Sequence, residues 1–162
     1  MRGLTNKDRL SVNVRRVRRV TGEVISALQR LIPQLSLSDP PDRRGLAGVL
    51  MSPGTVLLAA RYPGSRGKIV GTLTLVLYRL PTGLRARIED LVVDERMRRK
   101  GIGKALVRHA VHSAAASGAK SVDLTSHPSR KAANLLYPRL GFVKYRTNVY
   151  RYDVSCGKNR GR

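Results

Sequence analysis

Apolar residues recur along this chain with two different periods, and the switches between them mark out its elements. Val12, Val14 and Val17 suggest a first strand, with Arg15-Arg16 and Arg18-Arg19 on its wet side or at its end. Thr21 offers an N-cap to a helix through Val24, Ile25, Leu28, Leu31 and Ile32, which share one face; Pro33 ends or bends it. Ser36 to Asp42 is a loop by its turn chemistry, and a short helix follows from Arg43 to Met51, stopped by Ser52-Pro53-Gly54.

Strand-like runs then dominate. Thr55 to Ala60 is one, Lys68 to Tyr78 a second, and Arg85 to Val93 a third after the turn Pro81-Thr82-Gly83. Consecutive strands joined by a short turn form an antiparallel pair. A helical pattern runs from Gly101 to Ser117 and stops at Gly118. After that crossover, Ser121 to Thr125 should lie parallel to the strand ending at Val93. A last helix spans Arg130 to Arg139. The stretch Phe142 to Asp153, with Val143, Tyr145, Val149, Tyr150 and Tyr152, reads as a final strand. The order predicts an α/β (α+β) domain over residues 11–154: a mixed sheet with helices on its faces, between a loose N-terminus (1–10) and a disordered basic tail (155–162).

Composition changes this picture in one respect. The chain has 162 residues, 41% of them hydrophobic but only 4% aromatic, so the core must be mainly Leu, Val, Ile and Ala. Lysine and arginine number 32 against 10 acids, a net charge of +22. That balance predicts attraction to polyanions such as nucleic acid, phosphorylated metabolites or acidic membrane; the plainer reading is a generally basic protein. The single cysteine, Cys156, excludes a disulfide framework, and with His109, His112 and His127 it makes no metal-ligand set. The first residues lack the apolar run of a signal peptide, and Pro53-Gly54 and Gly71 interrupt the longest apolar stretches. A protein of the cytoplasm, with no metal and no membrane span, is the expectation.

The stretch from Ile88 to Ala105 carries the chemistry. A buried strand runs into a basic turn with Arg98, Arg99 and Lys100, then Gly101-Ile102-Gly103, then a helix beginning with Lys104 and Ala105 in its first turn. Strand, glycine turn and helix start aim bare N–H groups at an anion, the glycines keep side chains out of the approach, and the helix dipole adds to the attraction. Arg98-Arg99-Lys100-Gly101-Ile102-Gly103 resembles the acetyl-CoA signature of the GCN5-related N-acetyltransferase (GNAT) superfamily. A second block, Ala132 to Phe142, resembles its late helix with Tyr137 and Leu140-Gly141-Phe142. The resemblance covers roughly Val12 to Asp153. It implies a mostly antiparallel twisted sheet of about six to seven strands flanked by about four helices. It also implies that amides from Arg98 to Ala105 cradle the pyrophosphate of acetyl-CoA, and that the main chain at Leu91, Val92 and Val93 pairs with the pantetheine arm like an added strand.

Arg130, Asn134 and Tyr137 fall on one face of the last helix. By resemblance, Tyr137 is the general acid that protonates the departing thiolate. Arg130 and Asn134 are cofactor contacts, although many members carry Asn where this chain has Arg130. The base stays open between Glu89, Asp90 and water or a backbone group, because some members place a glutamate where Thr125 stands here. Strand alternation would send Glu89 and Asp90 to opposite sides, and either acid could pair with Arg85 or Arg87. Glu89 to Val93 also resembles the branch that acetylates glucosamine phosphate. The function implied is direct acetyl transfer from acetyl-CoA to a primary amine of a small molecule or peptide, an amino-sugar phosphate being one alternative. A rival from another class is a basic nucleic-acid- or ribosome-associated module on the same fold. An exposed last strand would also suit a homodimer.

Overall fold

Five strands form one sheet whose spatial order follows the chain: β1 (Asn13–Arg16), β2 (Thr55–Tyr62), β3 (Lys68–Leu80), β4 (Gly83–Val93) and β5 (Val122–Leu124). The computed structural model describes residues 11–152 and 154. The expected loose N-terminus and disordered tail, with Asp153, lie outside the described residues. β1 to β4 pair antiparallel, and β5 lies parallel to β4, as the helical crossover requires.

Helices α1 (Gly22–Leu31) and α2 (Arg43–Met51) cover one face of the sheet; α3 (Ile102–Ala116) and α4 (Lys131–Arg139) cover the other. The pleat of β2 sorts the core between them. Leu57 and Ala59 pack with Val24, Leu28, Leu31 and Leu46, while Leu58 and Ala60 pack with Leu106, Val107 and Ala110. Thr21 and Asp42 start α1 and α2 by accepting backbone N–H bonds from Val24 (3.3 Å) and Gly45 (2.7 Å).

The expected final strand is the part that the structure corrects. Residues 142–152 have no regular structure, so the described sheet has five strands rather than six or seven. Two physical reasons act together. The outer edge of β5 is only three residues long and offers almost no ladder. The apolar pattern also slips by one between Val149 and Tyr150, so a single strand would turn Val143 and Tyr145 to one face and Tyr150 and Tyr152 to the other.

Gly71 in β3 sets how closely α3 approaches the sheet. A Cβ there would lie 2.9 Å from the Val92 carbonyl oxygen and 3.2 Å from both Ile102 Cγ2 and Leu106 Cδ1. Gly71→Ala is therefore expected to destabilise the fold by about 1–3 kcal/mol through overpacking. Urea unfolding should show a lower midpoint at unchanged slope; an unchanged midpoint would mean that α3 shifts freely.

Candidate active site

The site is built where β4 outruns β5. β5 pairs only with Ala86, Arg87 and Ile88, while β4 continues to Val93 along β3. From Glu89 onward, the β4 edge on the β5 side has no strand beside it. The Asp94 N–H donates to Val70 O on β3 (2.9 Å). By alternation, the N–H and C=O of Val93 face the open edge.

A bulge reshapes this edge. Thr72 pairs with Val92 and Thr74 with Glu89, so Leu73 alone stands opposite Asp90 and Leu91, and Asp90 takes a positive φ of 50°. Strict alternation is interrupted at Asp90 and Leu91, the two residues opposite Leu73. Glu89 and Asp90 border one cleft, together with Leu91, Thr125, Arg130 and Tyr137. Leu35 and Ser36, in the loop between α1 and α2, form its outer wall.

The two acids differ in their partners. Glu89 is ion-paired with Arg87 Nε, and Arg87 Nη2 donates to Thr125 Oγ1 (3.1 Å), tying the end of β5 to β4. Asp90 has no ion-pair partner among the described residues. Asp90 keeps contact with solvent, and its pKa is raised above the ordinary value, first by partial desolvation from neighbouring protein atoms and then by the charge of Glu89. Tyr137 is half-buried against the edge of Phe142, with ring centroids 5.9 Å apart. Burial raises its pKa and the nearby Arg130 guanidinium opposes the rise. Arg130 Nη2 also donates to Leu35 O (3.0 Å), joining the start of α4 to the cleft wall. The Asn134 amide donates to His127 O (2.9 Å) and Pro128 O (3.4 Å) and so holds the turn that launches α4. His127 Nδ1 accepts from the Ser129 N–H at 3.2 Å in that same turn.

The glycine turn lies farther along β4. Asp94 caps a short 3₁₀ turn, Glu95–Met97, by accepting from the Arg96 N–H (3.2 Å). Arg30 at the end of α1 holds this turn: its Nε lies 3.1 Å from Asp94 Oδ2 and its Nη2 donates to Ile69 O (2.5 Å). Gln34 Oε1 accepts from the Glu95 N–H (3.0 Å). Gly101 precedes α3 with φ of 76°, a left-handed conformation that favours glycine, and no side chain caps the helix. The first intrahelical bond found there is Ala105 N–H to Gly101 O, so the amides of Ile102, Gly103 and Lys104 lack helical acceptors. The side chains of Ile102 and Val92 are core, leaving only their main chain for a ligand. Of the basic residues, Arg98 sits 3.6 Å from Glu95 and Lys100 lies over the Tyr62 ring, while Arg99 and Lys104 are exposed.

The sequence pattern of the Acetyltransferase (GNAT) family matches residues 27–142. This chain belongs to the GNAT acetyltransferase family. A relative named N-alpha-acetyltransferase MAK3, from Arabidopsis thaliana, is 36% identical over 90 residues, 56% of this chain and 47% of its own. The chain spans less than half the length of the curated relatives it matches. A Trypanosoma brucei acetyltransferase structure is similar with a TM-score of 0.71 and 26% identity, covering 89% of this chain and 100% of that one. Glucosamine-6-phosphate N-acetyltransferase from Arabidopsis thaliana shares the fold, with a TM-score of 0.74 and 20% identity over 88% of this chain and 98% of its own.

The residues present fit the acetyl-CoA that the GNAT family implies. A Cβ on Gly103 would meet Leu136 and Val93 only at 3.7 and 3.8 Å, ordinary contact, so the protein's own atoms do not require glycine there. A phosphate seated on the helix start does. Beside Thr125, Ser126 Oγ is buried with no hydrogen-bond partner, an orphan that a ligand amide would satisfy. Among the described residues no three His, Cys, Asp or Glu side chains cluster as a metal site, and no helix is long and apolar enough to cross a membrane. Gly103→Ala should leave the melting temperature unchanged or higher, because alanine favours helix by up to about 1 kcal/mol. It should weaken CoA binding about tenfold or more by calorimetry, the loss of one or more charge-assisted bonds. Unaltered binding would remove Gly103 from the cradle.

Proposed function

We propose that this GNAT chain transfers acetyl from acetyl-CoA to the terminal amine of a polypeptide. The observation that carries the reading is the β4 bulge, which brings Asp90 into one cleft with Tyr137 at the head of the open strand edge. Acetyl-CoA supplies an acetyl group already activated as a thioester. Its pyrophosphate would rest on the amides of Ile102, Gly103 and Lys104, near the charges of Arg98, Arg99, Lys100 and Lys104. Its arm would run along Leu91 to Val93. The Val93 N–H, facing the open edge, is placed to donate to an oxygen on which charge develops.

Asp90 is the better base of the two acids. A carboxylate already held by Arg87, as in Glu89, is a weaker proton acceptor; Asp90 is unpaired, and its raised pKa makes it more basic. Its carboxylate takes the proton from the incoming ammonium, directly or through a water. Tyr137 keeps its proton at neutral pH because burial raises its pKa, and its Oη returns a proton to the departing sulfur. Arg130 supports the phenolate left behind and fixes the cleft wall through Leu35, a role on the acceptor side rather than against the cofactor.

The name of the MAK3 relative supports a protein N-terminus as acceptor. The cleft's charge argues against an amino-sugar phosphate, since its charged residues are two carboxylates and one guanidinium already bonded to Leu35 O. The reading places the enzyme in the cytoplasm, where acetyl-CoA and new polypeptide chains meet. CoA release measured with a panel of short peptides and with glucosamine 6-phosphate tests it. Faster release with the sugar phosphate would overturn the acceptor assignment.

Tyr137→Phe is expected to lower kcat by about 10²-fold or more while CoA affinity stays unchanged. Wild-type turnover in that variant would remove the acid role.

The raised pKa of Asp90 fixes the sign of two further effects. kcat/KM should fall as pH drops through that pKa, and Asp90→Asn should lower activity and abolish this acidic limb. The folded state holds the Asp90 proton more tightly than the unfolded chain does, so the charge opposes folding at neutral pH and ceases to do so in acid. The melting temperature of Asp90→Asn relative to wild type should therefore be higher at pH 7 than at low pH. A difference that does not rise with pH would contradict the raised pKa.

A further inference from the structure

The stretch that fails to form a strand is unlike the rest of the surface. Val143, Tyr145, Val149, Tyr150, Tyr152 and Val154 are each at least 73% exposed, and the three tyrosines are 84%, 87% and 84% exposed. The chain has six tyrosines, and the other three, Tyr62, Tyr78 and Tyr137, are half-buried. Tyrosine is ordinarily at least partly covered, and a contiguous run of exposed apolar and aromatic groups marks a place where something docks. Interleaved with these rings are Lys144, Arg146 and Arg151, none of which takes part in an ion pair among the described residues. The groove between α3 and α4 is lined by Arg108, His112 and Arg139 around an apolar floor of Val107, Val111 and Ala115, and Leu140 at its end stands three residues before Val143 in the chain.

We infer that residues 143–152, with the basic groove between α3 and α4, bind single-stranded nucleic acid. Exposed rings offer stacking faces to unpaired bases, and the cations between them match the phosphates that link those bases. Double-stranded nucleic acid fits poorly because its bases are already stacked and cannot reach the rings. A second copy of this chain is disfavoured by charge, since two bodies of +22 repel. An anionic membrane would match the charge, but this segment is neither an amphipathic helix nor supplied with the Leu, Phe or Trp that such a helix inserts. The surface is separate from the acceptor cleft and does not depend on the acetyl-transfer reading.

The test uses the full chain and fluorescence anisotropy with a labelled oligouridylate of about twelve nucleotides, within the footprint of known single-strand sites. A duplex of the same length and phosphatidylserine vesicles serve as competitors. The expected result is preference for the single strand over both. Replacing Tyr145, Tyr150 and Tyr152 together by Ser should weaken that binding about tenfold or more, since each stacked base contributes on that scale, with duplex affinity unchanged. Replacing Lys144, Arg146 and Arg151 together by Gln should reduce the slope of log affinity against log salt by about 2, the value for three phosphates on a single strand. Neither triple variant touches the core, so unchanged circular dichroism and acetyltransferase activity separate lost binding from lost folding. Equal affinity for duplex and single strand, an unaffected tyrosine variant, preferential vesicle binding, or a tyrosine variant that instead dissolves a dimer would each overturn the inference.

Discussion

The site depends on β5 being short. Three residues, Val122 to Leu124, pair with β4 and the chain then turns away, so β4 keeps one edge paired to β3 and presents the other bare. A bare strand edge in a protein interior is a liability, because its N–H and C=O groups need partners. Here the exposed length is confined to the few residues after Ile88, between the cleft and the glycine turn. The Arg87 guanidinium fixes where the opening begins by bonding Thr125 at the end of β5 and pairing with Glu89 on β4. The bulge at Asp90 adds a residue at that same point. One local event, the end of a ladder, therefore leaves both the open edge and the cleft on which the proposed acetyl transfer rests.

The glycine turn is positioned from both layers of helices. Arg30 and Gln34, at and beyond the end of α1, reach around the sheet edge to Asp94 and Glu95, at sequence separations of 64 and 61. From the other layer, Ile102 inserts into the core beneath α3, and Gly71 lets it come close. Asp94 is almost wholly buried, and removing its partner would strand a carboxylate with little water to solvate it. Contacts made far apart in sequence thus converge on the glycine turn.

Local signals were legible in the sequence and non-local ones were not. The element order, the caps at Thr21 and Asp42, the antiparallel hairpin of β3 and β4, and the glycine turn all follow from residues within a few positions of each other. The bulge is only half visible: Glu89-Asp90 followed by Leu91-Val92 breaks strict alternation, but only the register against β3 shows that Leu73 faces two residues. The same holds for the bonds from Arg30 to Asp94 and from Arg130 to Leu35, which join residues more than sixty positions apart. Arg87 and Glu89 are two apart and so share a strand face, a signal that was readable and that weakens Glu89 as a free base. The slip of pattern between Val149 and Tyr150 was readable too, and it separates the last segment from a true strand.

Charge acts on two length scales in this molecule. The global balance of +22 would repel a cationic acceptor at a distance, yet screening limits that field to about 10 Å at ordinary ionic strength. Within the cleft the near groups decide. Partial desolvation and the neighbouring Glu89 raise the pKa of Asp90 in spite of the surrounding excess of arginine, so local terms outweigh the distant field at that carboxyl. An ammonium that reaches the cleft meets two acids and a guanidinium already engaged with a carbonyl. Under the proposed reading the near charges of Glu89 and Asp90, rather than the net charge, would select the acceptor, while the net charge acts on the outer surface.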